Sequence, residues 1–175
     1  MTARTFTAFT ILVASLDLAL AACSEVDSGV DAPPPLDGAS PDSAFEHCPL
    51  AVNEVAAAGD PEDWIELLNI GDASIDLAGF MFSDEADDPA HAAPLPASML
   101  APGDRHVEEV TDGDEGFQLG AADAVWLYRV GTTVHCDGVV WRSGDSPAGG
   151  SYSRIPDGVG PWQTTTPDTR GVPNQ

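Results

Sequence analysis

The chain contains no lysine. Its six basic residues, all Arg, stand against 29 Asp and Glu in 175 residues, a formal net charge of −23. That balance excludes an ordinary nucleic-acid binder, because counterion release needs clustered Lys and Arg facing the phosphates. It also excludes attachment to anionic membranes through a polybasic patch. Helical spacing is absent too: from residue 48 onward no stretch keeps apolar residues at i, i+3, i+4 and i+7 over three turns. With 17 Gly and 15 Pro, long helices and helical bundles are ruled out. What remains, at 43% hydrophobic, is enough apolar material for one packed domain, or at most two.

The first segment reads as an export signal. Arg4 precedes an apolar run over 6–16, and Leu18-Ala19-Leu20-Ala21-Ala22 leads into Cys23. The tetrad Leu20-Ala21-Ala22-Cys23 resembles the lipobox of bacterial lipoproteins, in which the cysteine thiol is acylated before cleavage. Asp17 interrupts the apolar stretch, where a charge costs roughly 2.5–3.5 kcal/mol at a helix centre. A spanning helix needs about 20 apolar residues, and no basic stop-transfer flank follows. An ordinary cleaved signal ending at Ala19-Leu20-Ala21 or Ala21-Ala22-Cys23 is the other reading. The expectation is a signal peptide over 1–22, a lipidated Cys23, and an acidic Pro/Ser/Asp tether to residue 47. Residues 24–47 hold almost nothing that can be buried, so they are expected to be disordered, with a reach of roughly 25–30 Å.

If Cys23 carries lipid, Cys48 and Cys136 are the two thiols left in an oxidising compartment, and a bridge between them is expected. Two unrelated thiols are the alternative.

Over 48–175 short apolar runs alternate with turn chemistry. The runs are 50–56, 64–69, 74–77, 80–83, 105–110, 124–130, 132–141 and 151–155, separated by Gly-Asp, Pro-Gly and Asp-Gly segments. Val130-Gly131-Thr132 reads as a tight hairpin. Seven or eight strands predict an all-β, two-sheet sandwich, with Trp64, Phe80, Phe82, Trp126, Tyr128, Trp141 and Trp162 as core aromatics.

Ordered motifs in this region carry a family resemblance. Asn53-Glu54-Val55, then Asp63-Trp64-Ile65-Glu66-Leu67 and Asn69, resembles the opening of a lamin tail domain. Ile75-Asp76-Leu77-Ala78-Gly79-Phe80 with Ser83-Asp84 is similar to the family's next strand, although Phe80 replaces its usual Trp. Leu95-Pro96, Leu100-Ala101-Pro102-Gly103, Ser151-Tyr152-Ser153-Arg154, Pro156-Asp157-Gly158, Trp162, Thr166-Pro167 and Gly171-Val172-Pro173-Asn174 continue the match. Asp168-Thr169-Arg170 departs from it, since the family usually places Gly soon after Thr-Pro. The resemblance spans 49–174 and implies an immunoglobulin-like β-sandwich, in bacteria an accessory or adhesion module. On the residues alone, Asn53, Glu54 and Asn69 are expected to cap nearby backbone at strand ends. Gly158 and Gly171 are expected at positive φ, and Arg154 near an acidic loop such as Asp157.

Chemistry-bearing motifs are few. Gly144-Asp145-Ser146 is similar to one esterase nucleophile block, but Pro147 follows where that motif needs a helix, and no G-x-S-x-G appears. His47, His91, His106 and His135 show no zinc spacing. Two acidic loops supply the hard oxygens calcium takes, with Asp84, Asp87, Asp88, Asp112 and Asp114 as candidate ligands; plain solvated charge is the better reading, since acids this abundant cluster by chance. No cofactor is otherwise expected. The function expected is non-catalytic: a lipid-anchored envelope lipoprotein, on the outer membrane or extracellular face, binding a surface protein or neutral glycan and no nucleic acid. An accessory module of an extracellular hydrolase system, or a calcium-dependent surface module, is the alternative.

Overall fold

The computed structural model describes residues 48–86, 88–111 and 117–175. The segments expected to be a signal peptide (1–22) and a tether (24–47), with Cys23, Asp87, Asp112 and Asp114, lie outside the described residues. Those described are almost entirely strand and turn. In chain order the strands are β1 (Leu50–Ala56), β2 (Asp63–Asn69), β3 (Ile75–Asp76), β4 (Phe80–Ser83), β5 (Ala93–Pro94) and β6 (Met99–Leu100). They continue with β7 (Arg105–Val110), β8 (Asp123–Arg129), β9 (His135–Trp141), β10 (Ser151–Arg154) and β11 (Trp162–Thr165). One antiparallel sheet has the order β11-β10-β1-β2-β7, a second β5-β4-β8-β9, and β3 pairs with β6 alone.

Period-two alternation builds the core. Leu50 and Val52 of β1, Ile65 and Leu67 of β2, Phe80 and Phe82 of β4, Val125 and Leu127 of β8, and Val139 and Trp141 of β9 converge in one apolar cluster between the two large sheets. In β1 the alternation breaks at Asn53. Val52 faces Leu67 and Glu54 faces Glu66, so Asn53 is the extra residue of a bulge. The bulge puts Asn53 and Glu54 on the face away from the core while Val55 turns back into it. A second irregularity lies between Leu127 and Tyr128, with Cys136 as the extra residue opposite.

Cys48 is bonded to Cys136 across a Cα separation of 5.4 Å. The bridge ties the approach to β1 in one sheet to β9 in the other, as the two remaining thiols led us to expect. Several boundaries differ from the sequence reading. The run 132–141 becomes a strand only at His135, because Thr132 completes the hairpin by donating both its N–H and its hydroxyl to Arg129 O. Gly131 supplies the left-handed residue of that turn, at φ 82°. The two-residue strands β5 and β6 and the polar β11 carried no apolar run to announce them.

Candidate functional site

Asn53, Glu54, Trp64, Glu66, Asp157, Gly158 and Asn174 converge on the outer face of the five-stranded sheet. Outside β11, segment 155–175 folds back over that face and covers it. Glu54 and Glu66 are both fully buried there, a costly placement that requires complete hydrogen bonding. The segment supplies it. Thr169 donates its N–H at 2.9 Å and its hydroxyl at 2.8 Å to Glu54, and Ser151 donates its hydroxyl to the same carboxylate. Gly171 N–H donates at 2.8 Å to Glu66, and Asn53 Nδ2 donates at 2.9 Å to its other oxygen.

The network then closes on itself. Asn53 Oδ1 accepts from Gly158 N–H at 2.7 Å, and its amide donates to Asp157 at 3.0 Å. Asp157 also takes Arg105 and the Asn174 N–H, while Asn174 donates to the carbonyls of Asn53 and Arg154. Arg105 Nε stands 3.3 Å from Glu66 Oε1, an ion-pair distance with no aligned hydrogen bond on that N–H. Burial pushes the Glu66 carboxyl above its ordinary range, Glu54 beside it pushing the same way; hydrogen bonds from Asn53 and Gly171 and the Arg105 charge pull it back. Trp64 lies on this face, with the Arg170 guanidinium 5.5 Å over its ring.

A second constellation joins the two sheets where β10 stops short along β1. β10 pairs with β1 only at Glu54 and Val55, so the backbone of Val52 meets side chains instead of a strand. Asp137 Oδ2 accepts from Val52 N–H at 2.8 Å, and Arg154 Nε donates to Val52 O at 2.9 Å. Arg154 also pairs with Asp137 at 3.1 Å and lies 4.8 Å over the Trp162 ring, which stacks on Tyr152. The Cys48–Cys136 bridge, Leu50, Ile70, Asp137, Arg154 and Gly158 line a cleft of about 220 Å³ at this junction.

Several expectations need correction here. Arg154 pairs with Asp137, not with Asp157, whose partner is Arg105. Asn53 and Glu54 do not cap local strand ends. They sit mid-strand and bond residues far along the chain, because the bulge turns them outward together. Asn69 does act locally, accepting from Gly71 N–H, and it also donates to Leu100 O. Trp126 is no core residue: it lies half-buried on the outer face of the four-stranded sheet. Gly158 and Gly171 do have positive φ, 71° and 75°. Gly79 has open space around it and an ordinary φ.

The remaining candidates are dispersed. The Ser146 hydroxyl is engaged by backbone, accepting from Ala57 N–H at 2.9 Å and donating to Val55 O at 3.2 Å. Asp84, Glu85 and Asp88 line a cleft of about 320 Å³ with His91 and Phe117. His91 is hydrogen-bonded to Asp88 at 2.6 Å, which draws its pKa upward. His106 sits 2.6 Å from Glu108, and His135 against Trp126. Among the described residues no group of three His, Cys, Asp or Glu is arranged to hold a metal ion, and no helix is long and apolar enough to cross a membrane.

Asp137 and Arg105 were missed in the sequence, and both had a signal. Asp137 shares the inward parity of Val139 and Trp141, so an acid there required a built partner. Arg105 is one of six cations among 29 acids. Comparison with known proteins yields no matching family model, no matching curated protein and no matching solved structure.

Proposed function

We propose that this chain is a non-catalytic exported lipoprotein that displays an immunoglobulin-like sandwich of the lamin tail type at the cell envelope. Lipid on Cys23 anchors it, on the outer membrane or extracellular face, and the 24–47 segment spaces the domain from the bilayer. The observation that carries the reading is the engagement of every motif side chain by the fold itself. Asn53, Glu54, Glu66, Arg154 and Asp157 bond one another, backbone or segment 155–175, so the shared motif reads as a scaffold for display. Its net charge of −23 repels polyanions, which favours a protein or a neutral glycan as partner.

Cell fractionation with labelled palmitate tests the anchor. The label should enter the wild type and not Cys23→Ser, and the variant should leave the membrane fraction, because two or three acyl chains supply the stable attachment. An unlabelled wild type, with the variant still membrane-bound, overturns the proposal.

A further inference from the structure

The outer face of the β5-β4-β8-β9 sheet is anomalous in its charge. By alternation its outward positions include Met81, Ala124, Trp126, Tyr128, His135 and Val140, and no Asp, Glu or Arg falls on any of them. In a chain with 29 acids a strand face without one departs sharply from the rest of the surface. Part of it is covered: the Tyr128 hydroxyl donates to Glu85 O at 2.9 Å, beneath the turn that follows β4. The remainder is open. Val140 is 61% exposed, and His135 is exposed at the other end of β9, with Gly138 and Trp126 between them.

Trp126 is the centre of this strip. It stands opposite Gly138, where a Cβ would fall 2.5 Å from Trp126 Cε3 and 3.0 Å from Cζ3. The indole therefore lies down over the glycine backbone, one face on the sheet and the other toward solvent. The His135 ring sits 4.5 Å away, tilted by 49°. This is a flat aromatic surface with a hydrogen-bonding group at its edge.

We infer that Trp126, His135 and Val140 form a binding site for a neutral glycan, an inference that rests on the display reading above. The C–H face of a pyranose ring is apolar and stacks on an indole laid flat, while its hydroxyls meet the imidazole. An anionic sugar is disfavoured by the charge of the whole chain. A quaternary ammonium ligand calls for an aromatic cage, and here a single indole lies flat with one imidazole beside it.

The test is calorimetry of the full-length chain with neutral hexasaccharides of glucose, mannose, galactose and N-acetylglucosamine, and with choline. At least one saccharide should bind. Trp126→Ala should weaken it about tenfold or more, the loss expected for one stacked aromatic, and Trp126→Phe should restore part of it. Val140→Asp, at an exposed position, should weaken binding with the melting temperature unchanged, which keeps the test valid if Trp126→Ala folds poorly. Binding of no saccharide, of choline instead, or of a saccharide with equal affinity in both Trp126→Ala and Val140→Asp overturns the inference. A surface protein retained equally by wild type and both variants also overturns it, while leaving the display reading standing.

Discussion

Removing the carboxylate of Asp137 should test how the two sheets are held together. In Asp137→Ala the Val52 N–H, on a residue with no exposed surface, loses its acceptor at 2.8 Å. Leaving a buried donor unpaired costs about 1–3 kcal/mol. Arg154 loses its ion-pair partner at 3.1 Å, both side chains being about one-fifth exposed, which removes a further contribution of about 0.5–1 kcal/mol after solvent screening. The variant should therefore be roughly 1.5–4 kcal/mol less stable, a fall in Tm of about 5–20 °C for a domain of this size. Urea and thermal denaturation followed by circular dichroism, with the disulfide intact, measure it. Asp137→Asn separates the two parts: its carbonyl still serves Val52, but its amide turns a donor toward Arg154. It should fall between the wild type and Asp137→Ala. If Asp137→Ala lies within about 0.5 kcal/mol of wild type, the range of ordinary surface substitutions, the side-chain clasp does not hold Val52 and the reasoning fails.

Three further expectations concern the same frame. Gly158→Ala combines a left-handed φ of 71° with a Cβ only 2.5 Å from Ile70 Cγ2, so it should cost about 1–3 kcal/mol; a neutral result in urea melts would contradict it. Burial raises the Glu66 pKa in the fold, so the folded state takes up that proton more readily than the unfolded chain. The stabilisation is fully present below the unfolded carboxylate pKa, near 4.5, and is lost as pH rises through the higher folded value. The stability of wild type minus that of Glu66→Gln should accordingly decrease with pH across that window, and a flat difference would exclude the effect. Reducing the Cys48–Cys136 bridge, with its separation of 88 residues, should cost up to about 4.6 kcal/mol in the chain-entropy model; unchanged melting after complete reduction and alkylation would show that the link contributes nothing.

The strands that carry apolar alternation were legible from sequence. The runs 50–56, 80–83 and 105–110 match β1, β4 and β7 to the residue, because side-chain parity and turn residues act locally. What could not be read was the consequence of a bulge. Asn53 inserts one residue, and that shift alone sends Glu54 to the outer face instead of capping a strand end. Its partner Thr169 lies 115 residues away, beyond the reach of any local pattern. Trp126 failed for a different reason. An aromatic in an alternating strand has the same signature whether its face points into the core or out, and Gly138, which lets the ring lie on the sheet, is informative only once the register is known. β11 failed because its sequence, Trp162-Gln163-Thr164-Thr165, has no alternation to detect.

The outer face of the five-stranded sheet has a consequence for the order of events during synthesis. β1 and β2 are made early, yet the carboxylates they bury, Glu54 and Glu66, are completed by Thr169 and Gly171. Until segment 166–175 has emerged, the central pair of the sheet carries two acids with too few donors and an uncovered Trp64. A chain stopped before that point leaves both carboxylates short of donors and is therefore a poor substrate for folding. Completion of the domain waits on segment 166–175, and the wait is written into which groups answer those two carboxylates.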